Sequence, residues 1–264
     1  MYDFKYQKPA AVDDAVKALA ADPEAKALAG GMTFIPVLKQ RLAKPSAVVD
    51  LAGLGLSGIR REGNTLVIKA MTTHREVATS KDVADAIPAL AHLASHIGDR
   101  QVRYRGTIGG SLANNDPSAC YPSAVLALGA TIRTTKREIA ADDYFQGMFT
   151  TALEPDELIT EVSFPIPEKA AYEKFPNPAS RYAMVGVFVA KNAGGVRVAV
   201  TGAGNNGVFR HTAMEQALSA HFAPDAISGV KTPEEDMSSD IHASAAYRAH
   251  LVGVMARRAV AACG

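Results

Sequence analysis

Only two cysteines occur in the 264 residues, Cys120 and Cys263, and neither sits in a CxxC or mixed Cys/His spacing. That scarcity excludes a disulfide framework, and any metal cluster the protein needs must be held by another chain. Excess charge is lacking too. The 28 Lys and Arg against 27 Asp and Glu leave a formal net charge of +1, which gives no electrostatic reason to expect nucleic acid, a polyphosphate or an anionic membrane as partner. No uninterrupted apolar run approaches the roughly 18 to 20 residues of a spanning helix, and Met1-Tyr2-Asp3-Phe4 is not a basic start leading into an apolar stretch. A cytoplasmic location is expected by default. The histidines provide no metal set: His92 and His96 are four apart on one helical face, but no third ligand accompanies them.

What is present is an ordinary globular composition, 48% hydrophobic and 21% charged. Val12, Val16 and Leu19 predict an amphipathic helix over residues 11–21, ending near Asp22-Pro23. A short strand over 26–29 meets Gly30-Gly31, a helix over 34–42 follows, and Val48-Val49-Asp50 closes a small βαβ-like unit. Segments 56–61 and 65–69 alternate around Glu62-Gly63-Asn64 as a hairpin, and Thr73-His74-Arg75-Glu76 fits a capping box. Residues 82–98 predict an amphipathic helix that Pro88 kinks or breaks. Residues 99–122 have the composition of a long polar loop, and long ordered loops usually carry function. Its Arg100, Arg103 and Arg105 are expected at a solvated or ion-paired surface. Helix is predicted over 123–129 and strand over 130–134 and 158–164, with a boundary at Pro165-Ile166-Pro167. Strands over 182–191 and 196–201, helices over 211–220 and 243–262, and a solvated loop over 231–240 complete a third α+β unit.

Two glycine pairs share one grammar, Ala29-Gly30-Gly31-Met32-Thr33 and Thr107-Ile108-Gly109-Gly110-Ser111. Absent Cβ atoms let backbone N–H groups approach a ligand such as a pyrophosphate, and Thr33 or Ser111 adds a hydroxyl. Neither is followed by Gly-Lys-Ser/Thr, which argues against nucleoside triphosphate hydrolysis. Gly202-Ala203-Gly204-Asn205-Asn206-Gly207 matches GxGxxG, yet no second strand ending in an acidic residue stands about 20 positions on, so a tight turn is the better reading.

The first glycine motif, taken with Gln101-Val102-Arg103-Tyr104-Arg105-Gly106-Thr107-Ile108-Gly109-Gly110-Ser111 and Asn114-Asn115-Asp116-Pro117, resembles the flavoprotein (medium) subunit of carbon monoxide dehydrogenase, xanthine dehydrogenase and related molybdenum hydroxylases. The likeness runs nearly end to end, through Tyr172-Glu173-Lys174-Phe175 and Ala179-Ser180-Arg181-Tyr182-Ala183. It implies an α+β fold of the p-cresol methylhydroxylase (PCMH) type, with two α+β subdomains holding FAD, followed by a C-terminal α+β domain of the CO dehydrogenase flavoprotein type. Residues 1–54, 55–166 and 167–264 are the corresponding units. By position, Ala29, Gly30, Gly31, Met32 and Thr33 would meet the FAD pyrophosphate from one side, and Thr107, Ile108, Gly109, Gly110 and Ser111 from the other, largely through backbone amides. Ile97 and Ile159 fall where relatives place apolar contacts near the adenine. Tyr182 falls where several have a residue against the flavin ring, although a half-buried strand aromatic fits it as well.

Cys120 departs from the pattern, since many relatives carry an acidic residue there; Asn114 or Asp116 is expected to take over its hydrogen bond, or backbone and water to serve. By itself Cys120 reads as a small buried filler. Pro176 stands where some relatives have a lysine, so cation-assisted tuning of the flavin is not expected. The resemblance implies electron transfer rather than substrate chemistry. A molybdenum-binding large subunit would oxidise substrate and a 2Fe-2S small subunit would relay electrons to FAD on this chain, in a dimer of heterotrimers. No residue here is then required as general acid or base. The alternatives are a free-standing PCMH-type flavin oxidoreductase and a non-catalytic dinucleotide-binding protein using Gly202 to Gly207.

Overall fold

Ala47, Val48 and Val49 are all at most 2% exposed, the signature of a central strand covered on both faces. The computed structural model describes residues 1–263. In its first layer, β1 (Lys5–Gln7), α1 (Val12–Ala20), β2 (Lys26–Leu28), α2 (Phe34–Lys39) and β3 (Ala47–Asp50) form a parallel sheet in the order β1-β3-β2. Ala15 and Leu19 of α1 close the small core behind β3, with Leu158 reaching in from the next layer.

The second layer starts with the hairpin of β4 (Ile59–Glu62) and β5 (Thr65–Lys69). Next come α3 (His74–Thr79), α4 (Lys81–Ala86), α5 (Pro88–Ser95), α6 (Arg100–Arg105), α7 (Ile108–Asn114) and α8 (Tyr121–Leu128). The strands β6 (Thr131–Thr134) and β7 (Glu138–Ala140), the short α9 (Ala141–Tyr144), the ribbon β8 (Phe145–Gly147) and β9 (Thr150–Thr151), and finally β10 (Ile159–Pro165) complete it. The antiparallel order β4-β5-β10-β6-β7 puts the last strand in the centre. Glu161 of β10 is held there by Arg60 Nη1 at 2.8 Å, reaching over from β4, and by Arg133 Nη1 at 2.7 Å from neighbouring β6, and these partners, Arg60 first, lower its carboxyl below the ordinary range.

Local capping chemistry decides several helix ends. Thr73 and Glu76 form the expected capping box. Residues 82–98 are not one helix, because Pro88 cannot donate to the preceding turn; α4 ends before Ile87 and α5 restarts with Pro88 in its first turn. The expected loop over 99–122 is instead largely helical. The Asp99 side chain accepts from Val102 N–H to start α6, and Thr107 Oγ1 accepts from Gly110 N–H to start α7. Two short helices of arginine and glycine carry no apolar stripe long enough to be read as periodicity.

In the third layer, β11 (Lys169–Pro176), β12 (Ala183–Asn192), β13 (Gly195–Thr201) and β14 (Phe209–Arg210) run antiparallel in sequence order, with α10 (Thr212–Ala220) and α11 (Ala245–Ala262). Alternation along β12 divides its side chains between two cores: Val185, Val187 and Val189 pack with α11, while Phe188 and Ala190 pack with α8. That explains α8, whose eight residues are all buried, since a helix covered on every side can be apolar on every side. The GxGxxG stretch turns between antiparallel β13 and β14, with Gly202 and Gly207 at φ +82° and +91° and no helix entering directly after it. Residues 231–240 are mostly exposed, as expected, with one anchor. Met237 is 4% exposed, and its backbone bridges to Gly204.

Candidate cofactor site

A cavity of about 740 Å³ lies where the three layers meet, within the ordinary range for small-molecule sites. One wall is the turn after β2, where Ala29, Gly30, Gly31, Met32 and Thr33 all line it. The N–H groups of Gly30, Gly31, Met32 and Thr33 donate to no acceptor among the described residues, and Gly31 holds a left-handed φ of +75° that favours glycine. Four consecutive free donors beside a cavity make a cradle suited to anionic oxygens. The Thr33 hydroxyl caps no helical amide, so it too is available.

The opposite wall uses its glycines differently. Thr107, Gly109, Gly110 and Ser111 border the cavity, but their amides are already committed. Ile108 N–H donates to Thr72 O, Gly109 N–H to Ala70 O at 2.8 Å, Gly110 N–H to Thr107 Oγ1, and Ser111 N–H to Thr107 O. Of the two motifs expected to offer amides to a ligand, only the first has them free. Ile108 does not border the cavity, being fully buried in the main core. Gly109 is glycine because α7 packs onto the end of β5: a Cβ there would lie 2.6 Å from Ala70 Cβ and 2.7 Å from its carbonyl oxygen. Gly30 serves the same purpose across the cavity mouth, where a Cβ would fall 2.6 Å from the Arg105 carbonyl carbon. What this wall has left for a ligand is side chains, and its lining includes Ser111 and Asn114.

The remaining candidates are brought in from distant parts of the chain. Ile97 and Ile159 line the apolar flanks, and Asp116 and Cys120 stand on the segment between α7 and α8. Burial raises the Asp116 carboxyl, an effect opposed by the Ser118 N–H it accepts at 2.8 Å. The third sheet holds this segment in place: Thr201 Oγ1 lies 2.7 Å from Ala119 O, and Gly202 N–H donates to Pro117 O at 2.8 Å. Tyr182 precedes β12, lines the cavity and is 48% exposed, so part of its ring is open to the cavity while the rest is buried. Its phenol is raised by partial burial and by nearby Asp116 and Cys120.

Three contributors were not foreseen in the sequence. Lys174, on β11, lines the cavity and donates to His96 O at 2.8 Å and to Cys120 Sγ at 3.5 Å. A cation does stand at this wall, which corrects the expectation drawn from Pro176; that proline lies at the exposed end of β11 and does not border the cavity. Arg103 folds back onto Ile97 O and Gly98 O at 3.0 and 3.1 Å, pinning the turn beside the cavity, whereas Arg100 and Arg105 are exposed as expected. His74 lies beneath the Gly106 backbone at 5% exposure, its Nδ1 without a partner. Burial, with a smaller push from Arg103, lowers its pKa to about 4.

The sign of that shift makes a prediction. Unfolded His74 takes a proton near pH 6.5 and folded His74 only near 4, so between these values the unfolded chain binds more protons and stability falls as pH falls. A His74→Phe chain lacks this slope, and its stability relative to wild type should rise by about 2–3 kcal/mol between pH 7 and pH 4.5. Urea unfolding of both chains at the two pH values measures it, and a pH-independent difference would show that His74 does not stay neutral.

A family model described as "FAD binding domain in molybdopterin dehydrogenase" matches residues 2–167. The chain is 36% identical to the carbon monoxide dehydrogenase medium chain of Afipia carboxidovorans, over 97% of this chain and 95% of that one. To the nicotine 6-hydroxylase medium subunit of Paenarthrobacter nicotinovorans it is 34% identical, over 98% and 97%. Among solved structures, a chain of reconstituted CO dehydrogenase from Oligotropha carboxidovorans superposes with a TM-score of 0.90 at 34% identity, covering 99% of this chain and 98% of that one.

Proposed function

The chain belongs to the family of FAD-binding domains of molybdopterin dehydrogenases, and from that premise we propose that it is the electron-transfer subunit of a molybdenum hydroxylase. In this role it takes electrons from a 2Fe-2S small subunit and passes them to an external acceptor, while a molybdenum-binding large subunit holds the substrate; two such heterotrimers pair. The chain is an oxidoreductase flavoprotein, and its own cofactor is FAD. Bound FAD supplies the conversion between single electrons and electron pairs.

The observation that carries the reading is the row of four free amides at residues 30–33 facing Ser111 and Asn114 across the cavity. Gly30, Gly31, Met32 and Thr33 hold the pyrophosphate in this proposal, with Ser111 and Asn114 supplying the opposing polar contacts. Ile97 and Ile159 border the adenine side, and Tyr182 and Lys174 the flavin side. Residues 1–54 and 55–166 act as the two FAD-binding subdomains and 167–264 as the C-terminal domain, one for each of the three larger sheets. No side chain is assigned acid or base work, since this chain orients the cofactor and keeps water from it.

The purified chain should bind FAD at near one equivalent, read by visible spectrum and chromatography of heat-released flavin, and should oxidise no aldehyde, purine or N-heterocycle alone. Co-purification should recover molybdenum and iron–sulfur subunits. Substrate-dependent bleaching of the flavin in the isolated chain would overturn the subunit role.

A further inference from the structure

Cys120 is 4% exposed, and it borders the cavity. Lys174 Nζ donates to its sulfur at 3.5 Å, and beside it the hydroxyl of Tyr172, a residue 2% exposed, is buried with no hydrogen-bond partner. A buried phenol without an acceptor is costly, and this O–H has none. The chain thus encloses an ammonium and an unserved hydroxyl around a sulfur that is a poor acceptor for either. One oxygen added to sulfur would serve both.

We propose that Cys120 is an oxidation site of the cofactor cavity: hydrogen peroxide converts its thiol to a sulfenic acid whose oxygen accepts hydrogen bonds from Lys174 Nζ and Tyr172 Oη. The sulfur attacks one peroxide oxygen, an S–O bond forms as the O–O bond breaks, and the departing hydroxide takes a proton from Lys174 Nζ. Lys174 recovers the thiol proton, so thiol and peroxide give sulfenic acid and water, with sulfur oxidised by two electrons and peroxide reduced by two. No second cysteine lies close enough to condense with the product, because Cys263 is at the end of α11 in the other core. The sulfenic acid therefore persists instead of passing on to a disulfide. This chemistry goes beyond the electron-transfer reading and is independent of it, since peroxide is the reactant whatever its source.

Cys263 serves as an internal reference. Burial pushes its thiol up to about 11, and a thiol so raised reacts slowly. The full-length chain, stripped of flavin, would be treated with hydrogen peroxide, trapped with dimedone and mapped by peptide mass spectrometry. Adduct is expected on the Cys120 peptide well before the Cys263 peptide. Lys174→Met and Tyr172→Phe should each slow it by about tenfold, the usual kinetic worth of one charge-assisted or buried hydrogen bond. Tyr172→Phe removes only an unpartnered hydroxyl and should fold normally, so it remains informative if Lys174→Met does not fold. Labelling of Cys263 ahead of Cys120, or a Cys120 rate unchanged in Tyr172→Phe, would overturn the proposal. Whether FAD binds does not enter these outcomes, so failure here and failure of the functional reading are separable.

Discussion

Gly30→Ala should abolish tight FAD binding while leaving most of the fold intact. A Cβ at this position would penetrate the Arg105 carbonyl oxygen and sit 2.6 Å from its carbon and 2.8 Å from Gly106 Cα. All three are backbone atoms, and no rotamer change relieves them. The free-amide turn and the C-terminal end of α6 must separate, which moves the two walls of the cavity apart. Forcing extra atoms into a filled space costs typically about 1–3 kcal/mol. If that strain is relieved by displacing residues 30–33, the donors lose their aim, and FAD affinity should fall about tenfold to a hundredfold or more. Flavin fluorescence titration reads the affinity, and a thermal melt reads the remaining stability. Gly229→Ala is the matched control, since a Cβ there meets nothing within 4 Å and should change neither. A Gly30→Ala chain that binds FAD as wild type does would remove the 30–33 turn from the site. Gly109→Ala should differ in kind, because its clash is with Ala70 inside the main core, so stability falls along with binding.

Arg248→Ala should produce the largest loss of stability in the C-terminal unit. Arg248, on α11, is 4% exposed; its Nη1 donates to Met184 O at 2.8 Å and Gly202 O at 2.7 Å, and its Nη2 to Asp240 at 2.7 Å. One guanidinium thus joins the long helix, the start of β12, the turn after β13 and the 231–240 segment. Truncation leaves two buried carbonyls unpaired and a void, for an expected loss of about 3–5 kcal/mol by urea unfolding. Asp240→Asn should cost about 1 kcal/mol or less, because that carboxylate is 47% exposed and screened by solvent. The effect should reach the cofactor. Gly202 N–H and Thr201 Oγ1 hold the segment from Pro117 to Ala119 at the cavity, so FAD affinity should fall in Arg248→Ala under conditions where the chain is still folded. Equal losses in Arg248→Ala and Asp240→Asn would mean the surface ion pair, not the buried carbonyl bonds, carries the stabilisation.

Much of the site was legible because its signals are local. The α+β class and the family resemblance both held. Gly30-Gly31 and Gly109-Gly110, each followed by a hydroxyl residue, flagged two segments that the fold brings to one cavity, and fifteen of the sixteen candidate residues line it, all but Ile108. What those glycines do was not legible. Glycine beside a ligand and glycine beside another backbone look identical in a sequence, and only the positions of Arg105 and Ala70 show that Gly30 and Gly109 are there for chain-to-chain approach. Residues 99–122 were misread for a related reason, since α6 and α7 are short, polar or glycine-rich, and stabilised by single capping side chains.

Alone, the sequence determined the elements whose information lies within one or two turns of chain: the Thr73 capping box, the Pro88 break, the valine-rich strands and the two glycine pairs. Those depend on dihedral preferences and local hydrogen bonds, which neighbouring residues set. Tertiary structure decided which amides stay free, that Lys174 rather than Pro176 borders the cavity, that Cys120 lies beside Lys174 and Tyr172, and that Arg248 joins the ends of two neighbouring strands. Each of these pairs residues tens of positions apart, so its geometry exists only after the three larger sheets have packed, and packing is a property of the whole chain that no short segment encodes.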